Sequence, residues 1–516
     1  VTEPPSGALS SRASLATISA SARRSFSASL VSVAVWALCS IAAPRAAHAS
    51  RFVRLPYPQD VGSRQVAFSF ELDGAHLARV RMTVEGAASA SSSSSAGTAA
   101  SGAASGASSA PPAIEVSGSA PEVSSELVVG GLAPATRYRW RISTDDGISE
   151  EGTVLTAPED DRDITFLVYG DNRTDRAAHA SVVRAMAGEP SDFLVHTGDM
   201  VHNGARWDEW LDWLSIERPL LRDRPIFPAI GNHEIGVPGS DGPQRYARIF
   251  RVPSAPGAGE RYYTFRWGMA RFFMLDAQDD FDSTERDWLD GVLGRADDEP
   301  GVKFRFAVMH HGPFSSGLHG DNEAARIARI PELLRKHKVD VLFSGHDHDY
   351  ERGEADGLRY LVSGGGGAPL YREHHDTSTC KRFEATRHFL RIQLAGSTGT
   401  MRAIRDDGSL IESCSFAAGG AGGWRCSDEG APPTPVAAAA AGGGDGGATN
   451  GQGGAANTSG GPPAGTSGRA CSCSAPGSGG GAPSGPAGLM PIALAACLWS
   501  RRNARRRAER SQALRD

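Results

Sequence analysis

A chain of 516 residues is long enough for two or three domains, and its charged residues sum to a formal net charge of −6. That balance leaves no general basic surface, which argues against a nucleic-acid partner. Long Gly, Ala, Pro and Ser stretches exclude a packed core over the whole length.

The first predicted segment is "ARRSFSASLVSVAVWALCSIAAPRAAHAS", in which basic residues precede an apolar run from Leu30 to Ala43 and then Ala47-His48-Ala49. This is the layout of a signal peptide over residues 1–49, with cleavage after Ala49. Arg23-Arg24-Ser25-Phe26 resembles the twin-arginine pattern of proteins exported folded. A membrane anchor is the alternative, although the apolar run is short for one. The expected destination is therefore the cell surface, the outer membrane or the medium.

Residues 50–158 read as short strands divided by turn residues, namely "QVAFSFEL", "ARVRMTVEG", "SSELVVGGL", "RYRWRISTDDG" and "EEGTVLTAP". The expectation is a small all-β sandwich, interrupted by an Ala/Ser/Gly insert over 87–113 that lacks the bulky residues to pack. The phrase "LVVGGLAPATRYRWRI", with Leu132 and Pro134 in a turn leading to Tyr138 and Trp140, resembles the fibronectin type III signature.

Over 161–407 strands alternate with helical stretches, the pattern of an α/β domain. Trp207, Trp210, Leu211 and Leu214 recur at helical spacing, which marks a packed helix face. "TERDWLDGVLGRA" reads as another helix. Five apolar runs each end in polar donors. "DITFLVYGD" delivers Asp171 and "DFLVHTGD" delivers Asp199. "PIFPAIGNHE" brings Asn232 and His233, "FRFAVMHHG" brings His310 and His311, and "VDVLFSGHDH" brings His346 and His348. In open α/β sheets ligands bind beyond the carboxyl ends of strands, so this repetition predicts one shared site.

The tail follows. Residues 419–486 are a Gly/Ala/Pro-rich linker by composition. Residues 487–516 join a short apolar run, Ala487 to Trp499, to a cluster of arginines, and the run is too short to span a bilayer comfortably. Together with Cys471-Ser472-Cys473 this resembles a MYXO-CTERM-type sorting tag, which implies attachment to a membrane or cell surface; a plain tail anchor is the alternative. Cys414 and Cys426 close a short glycine-rich loop and are the first pair to consider for a disulfide, with pairings through Cys380 left open.

The five polar strand ends mix carboxylate, amide and imidazole without thiolate, a donor set suited to hard or borderline metals. Two ions roughly 3.5 to 4 Å apart can grip both oxygens of a displacement at phosphorus, lower the pKa of bound water and offset phosphate charge. The order of motifs, D, G-D, G-N-H-[DE], H and G-H-x-H, resembles the calcineurin-like metallophosphoesterases, and with the sandwich in front it most resembles the purple acid phosphatases.

That resemblance implies a sandwich of two mixed β-sheets flanked by helices. It also implies two metal ions, of Fe, Zn, Mn or Mg, acting on a phosphate ester. Asp171 and His348 would bind the first ion, Asn232, His310 and His346 the second, and Asp199 would bridge them. His233 would act on substrate, hydrogen-bonding the phosphate and steadying or protonating the leaving oxygen. Two departures stand out. His202 occupies the position of the family's tyrosine and is a further candidate ligand. Arg173 follows Asp171-Asn172, where glycine or histidine is usual, and is a candidate phosphate contact with His311. His319 reads as a loop residue, and Gly364 to Gly367 as an anion nest or a tight turn. The main expectation is an exported phosphomonoesterase. A phosphodiesterase or nucleotidase, and a non-catalytic surface binding protein, are the alternatives.

Overall fold

The computed structural model describes residues 50–86, 111–237, 239–276, 281, 283–372, 374, 375, 377–420 and 422–427. The expected signal peptide, nearly all of the 87–113 insert, most of the linker and the 487–516 tail lie outside the described residues.

The N-terminal strands form two four-stranded antiparallel sheets. Alternation explains which face each presents. Along Arg137–Thr144, Tyr138, Trp140 and Ile142 are buried while Arg137, Arg139 and Arg141 are exposed. Trp140 meets Phe68 of the other sheet with ring centroids 5.3 Å apart, so the inner faces share a core. The Tyr138 hydroxyl accepts the Ala133 N–H at 2.9 Å, a corner familiar from Greek-key sandwiches.

Two seven-stranded sheets follow. The first runs Ile226–Pro228, Phe193–His196, Ile164–Tyr169, His388–Ala395, Thr398–Arg405, Leu410–Ala417 and Arg425–Cys426, parallel over the first three and antiparallel beyond. The second runs Tyr263–Trp267, Ala270–Met274, Phe304–Val308, Val341–Ser344, Leu358–Ser363, Tyr350–Ala355 and Cys380–Glu384. Its central strands are parallel. They are buried on both faces, which is why they read as continuous apolar runs. Phe166 of the first sheet contacts Phe272, Phe306 and Phe343 of the second, with centroids 5.1, 5.5 and 6.3 Å apart. The alternate residues Phe273, Ala307 and Leu342 turn outward into a separate cluster with Leu289 and Val292 of the helix Ser283–Asp297. Each buried aromatic of this kind contributes about 1.5–3 kcal/mol.

Three boundaries differ from the sequence expectation. The Trp-rich helix, Trp207–Leu221, buries Trp210, Trp213 and Leu214, while Trp207 is half-buried beneath the Arg248 guanidinium, 4.6 Å from its ring centroid. The last apolar run becomes strand at Val341 rather than Val339. The first sheet continues past residue 407, because Leu410–Ala417 and Arg425–Cys426 extend it, and so the linker cannot begin at 419. The glycine-rich stretch is held there by a Cys414–Cys426 disulfide and by Trp424, whose indole N–H donates to the Gly353 carbonyl at 3.1 Å.

The N-terminal sheets brace the region that follows Asn232. Glu71 accepts from Arg248 at 2.7 and 2.8 Å, and the Tyr57 hydroxyl donates to the Ile249 carbonyl at 2.8 Å. Both partners lie on the helix Gly242–Ile249.

Candidate metal centre

The five polar strand ends converge. Asp171 follows Ile164–Tyr169, Asp199 follows Phe193–His196, Asn232 follows Ile226–Pro228, His310 follows Phe304–Val308 and His346 follows Val341–Ser344. Within each sheet these strands run parallel to one another, so their carboxyl ends open on one edge. Asp171, Asp199 and His346 have φ of 58°, 58° and 72°. Left-handed backbone is uncommon for such residues and concentrates where function fixes the chain.

Asp199 sits at the centre and is 1% exposed. Its Oδ1 lies 3.3 Å from His310 Nε2 and accepts the His233 N–H at 3.0 Å. Its Oδ2 accepts from Arg173 Nε at 3.0 Å and lies 3.8 Å from His233 Nε2. The two oxygens thus face two different sets of partners. On the Oδ1 side, Asn232 Oδ1 is 3.1 Å from His310 Nε2 and 3.2 Å from His311 Nε2. On the Oδ2 side, His348 Nε2 is 3.6 Å from Asp171 Oδ1 and 3.2 Å from Arg173 Nη2.

Backbone carbonyls orient three of the imidazoles. His310 Nδ1 donates to the Thr197 carbonyl at 2.8 Å, His348 Nδ1 to Pro369 at 2.6 Å and His233 Nδ1 to His202 at 2.6 Å. Each bond places the proton on Nδ1 in the neutral ring and turns a lone pair on Nε2 inward, the arrangement of metal-ligating histidines. Glu234 holds the loops together. Its carboxylate accepts backbone N–H groups of Asp199, Met200, Val201 and Gly231 at 2.8, 2.8, 3.2 and 2.8 Å. The side chain of Asn172, next to Asp171, donates to the Gly366 carbonyl at 3.1 Å and accepts from Trp213 Nε1 at 3.3 Å and from His196.

Charge in the site is strongly perturbed. Burial drives the Asp171 carboxyl well above its usual range. Burial opposes charge at Asp199 too, but His310, His233 and Arg173 hold its carboxyl well below the usual range. Burial also opposes charge at His310, which Asp199 and Asp171 nevertheless raise to about 9. Burial, then Arg173, lowers His348 to about 4, and burial with His311, His310 and His319 holds His346 well below its ordinary value. Two carboxyl groups and several imidazoles packed together and out of water, with protons on Asp171 and His310 standing where positive charge is needed, form a donor set that a cation satisfies. Donor atoms of Asp171, Asp199 and His310, and of His310, His311 and His346, lie within 4.8 Å of one another. The residues present therefore fit metal ions held by oxygen and nitrogen.

The remaining expectations resolve as follows. His311 lies with the metal-capable imidazoles, its ring centroid 3.8 Å from that of His346. His202 is exposed and belongs to neither donor group; its ring faces His233 with centroids 5.2 Å apart. Arg173 turns into the donor set. His319 is no bystander: Asp347 accepts from its backbone N–H at 2.9 Å and contacts its Nδ1 at 2.8 Å, and its ring lies 4.1 Å from that of His346. Tyr371, which no sequence signal marks, stacks on His348 at 4.1 Å. Gly364 to Gly367 form a packing surface rather than an anion nest. The N–H groups of Gly364 and Gly366 donate to the Asp349 and Gly170 carbonyls, and a Cβ at either would strike backbone.

Residues 164–350, which span all the strand ends of this site, match the calcineurin-like phosphoesterase family. The chain carries a calcineurin-like metallophosphoesterase domain. That domain type consists of metal-dependent phosphoester hydrolases, and its fold implies a dinuclear metal centre. The chain is 28% identical over 260 residues to an uncharacterised Mycobacterium tuberculosis protein, covering 43% of this chain and 49% of that one. It is 27% identical over 267 residues to purple acid phosphatase 23 of Arabidopsis thaliana, covering 44% and 57%. It thus spans about half the length of the curated relatives it matches. In fold, the chain resembles the purple acid phosphatase PPD1 of yellow lupin (Lupinus luteus) seeds. That likeness has a TM-score of 0.59 at 15% identity and covers 70% of this chain and 74% of the lupin chain.

Proposed function

We propose that this chain is an exported phosphoesterase that hydrolyses phosphomonoesters with a pair of metal ions. The observation that carries the reading is the placement of Asp199, whose Oδ1 lies 3.3 Å from His310 Nε2 and whose Oδ2 shares Arg173 with His348; the Asn232/His310/His346 set would serve one ion and the Asp171/His348 set the other. Asp199 would bridge, with those residues as terminal ligands. Two bound ions supply positive charge to polarise phosphate and activate water. Family relatives named as purple acid phosphatases support the monoester reading. The N-terminal sheets and the Tyr138 corner support a fibronectin type III-like domain. Export and surface attachment rest on the sequence patterns of residues 1–49 and 487–516.

The chain's own groups do the rest. His233 presents Nε2 at the partly exposed edge of the site, with Nδ1 committed to the His202 carbonyl; with a second proton taken up on Nε2 from solvent, it would hand that proton to the departing oxygen. His319, held by Asp347, offers a further imidazole to the phosphate. A cavity of about 280 Å³ beside Arg173 and His202, walled by Met200, Val201, Trp213 and Ile216, gives the organic part of the ester a place.

The test is hydrolysis of p-nitrophenyl phosphate beside bis-p-nitrophenyl phosphate, each with and without chelator. The expected outcome is faster turnover of the monoester, abolished by chelation. Preference for the diester, or turnover indifferent to chelator, would contradict the reading.

A further inference from the structure

We infer that Arg173 is a built-in competitor for the metal position formed by Asp171 and His348, so that the two positions of the site differ in affinity. The inference rests on the two-metal reading above and deepens it.

The guanidinium occupies atoms that an ion there would need. Its Nε donates to Asp199 Oδ2 at 3.0 Å, and its Nη2 donates to His348 Nε2 at 3.2 Å. The second bond uses the lone pair that remains once His348 Nδ1 has donated to Pro369. A planar fork with fixed N–H directions suits a carboxylate oxygen and an imidazole nitrogen held side by side. The Arg173 side chain is only 14% exposed and the groups it contacts are 1% exposed, so water weakens the pairing little. A divalent cation entering between Asp171, Asp199 and His348 must break both bonds and drive the guanidinium away from its own charge. Among the described residues no arginine bonds Asn232 or His310 on the other side, where Asp199 Oδ1, His310 Nε2 and Asn232 Oδ1 face one another. An ion there displaces no guanidinium, only a proton that His310 can release to solvent, whereas arginine keeps its charge and has to move aside.

The consequence is sequential loading. One ion binds tightly beside Asn232, His310 and His346. The other binds beside Asp171 and His348 only as Arg173 swings outward. Charged hydrogen bonds reach roughly 1.5–3 kcal/mol, equivalent to about ten- to a hundredfold in affinity, and that is the gap expected between the positions.

The experiment is titration of the metal-free full chain with Zn²⁺ or Mn²⁺ followed by calorimetry, with bound metal counted by elemental analysis after gel filtration. Wild type is compared with Arg173→Ala and Arg173→Gly. The wild type should show one tight and one weaker step and retain about one ion through the column. The variants should show two tight steps and retain about two. Two equally tight ions in the wild type would overturn the inference, as would a weak second step unchanged in both variants. If neither wild type nor variants bind metal while folded, the two-metal reading itself fails and this inference falls with it. Circular dichroism of each variant separates misfolding from altered binding, and the glycine variant stands if alanine disturbs the loop.

Discussion

The two sides of Asp199 are built from the same kinds of donor, yet only one of them holds a guanidinium. Toward Oδ1 lies His310 with Asn232 and His346, with His311 against them and, among the described residues, no arginine bonded to Asn232 or His310. Toward Oδ2 lie Asp171 and His348 with a guanidinium already between Asp199 and His348. The difference shows that a ligand list does not define a metal site. The cation that the chain itself supplies decides how readily a position fills, and it enters at Asp171-Asn172-Arg173, where the sequence departs from the motif it resembles.

The variant that removes both sides at once should have the largest effect. Asp199→Ala takes away the shared carboxylate, so bound metal and phosphoester turnover should both be lost, as read by elemental analysis and p-nitrophenyl phosphate hydrolysis. His233→Ala removes no assigned metal ligand and keeps the backbone N–H that Asp199 Oδ1 accepts. It should lower kcat by about 10²–10⁴ while metal content stays within error of wild type. Glu234→Gln loosens the clamp on the Asp199 and Asn232 loops, because an amide nitrogen cannot accept the backbone N–H groups that the carboxylate holds. Metal affinity on the Oδ1 side should fall by about 10–100-fold, measured by competition with a chromogenic chelator.

A smaller effect concerns the backing of the Asp171 side. His388 is fully buried, contacts Ser363 Oγ at 3.2 Å and donates its N–H to the Gly365 carbonyl. Burial lowers its imidazole to about 4. Its folded-state pKa lies below the ordinary value of 6.5, so the unfolded chain takes up the proton first. Stability is therefore complete above about pH 6.5 and declines as pH falls towards 4, by about 3 kcal/mol in all. Urea midpoints at pH 7 and pH 5 should show the loss, and His388→Asn should flatten it.

Much of this was legible in the chain. Five apolar runs each ended by donors predicted buried strands and one shared site at their carboxyl ends, because a strand buried on both faces must read as continuously apolar. Alternation in "RYRWRIST" likewise predicted the sandwich face. The unread parts share one cause, contact between loops far apart in sequence. Arg173 meets His348 across 175 positions, so its identity was visible but its role was not. His319 acquires a role only because Asp347 reaches it from another loop. Glu234 bonds backbone, which leaves no trace in residue identities. The Arg425–Cys426 strand hid in a glycine-rich stretch, since the disulfide, Trp424 and pairing with Leu410–Ala417 fix it.

The most direct measurement is metal content and p-nitrophenyl phosphate turnover of the purified full chain before and after chelation, with metal then restored. The account predicts that turnover disappears with the metal and returns when two ions per chain can be supplied. Full turnover by a folded, metal-stripped protein would contradict it.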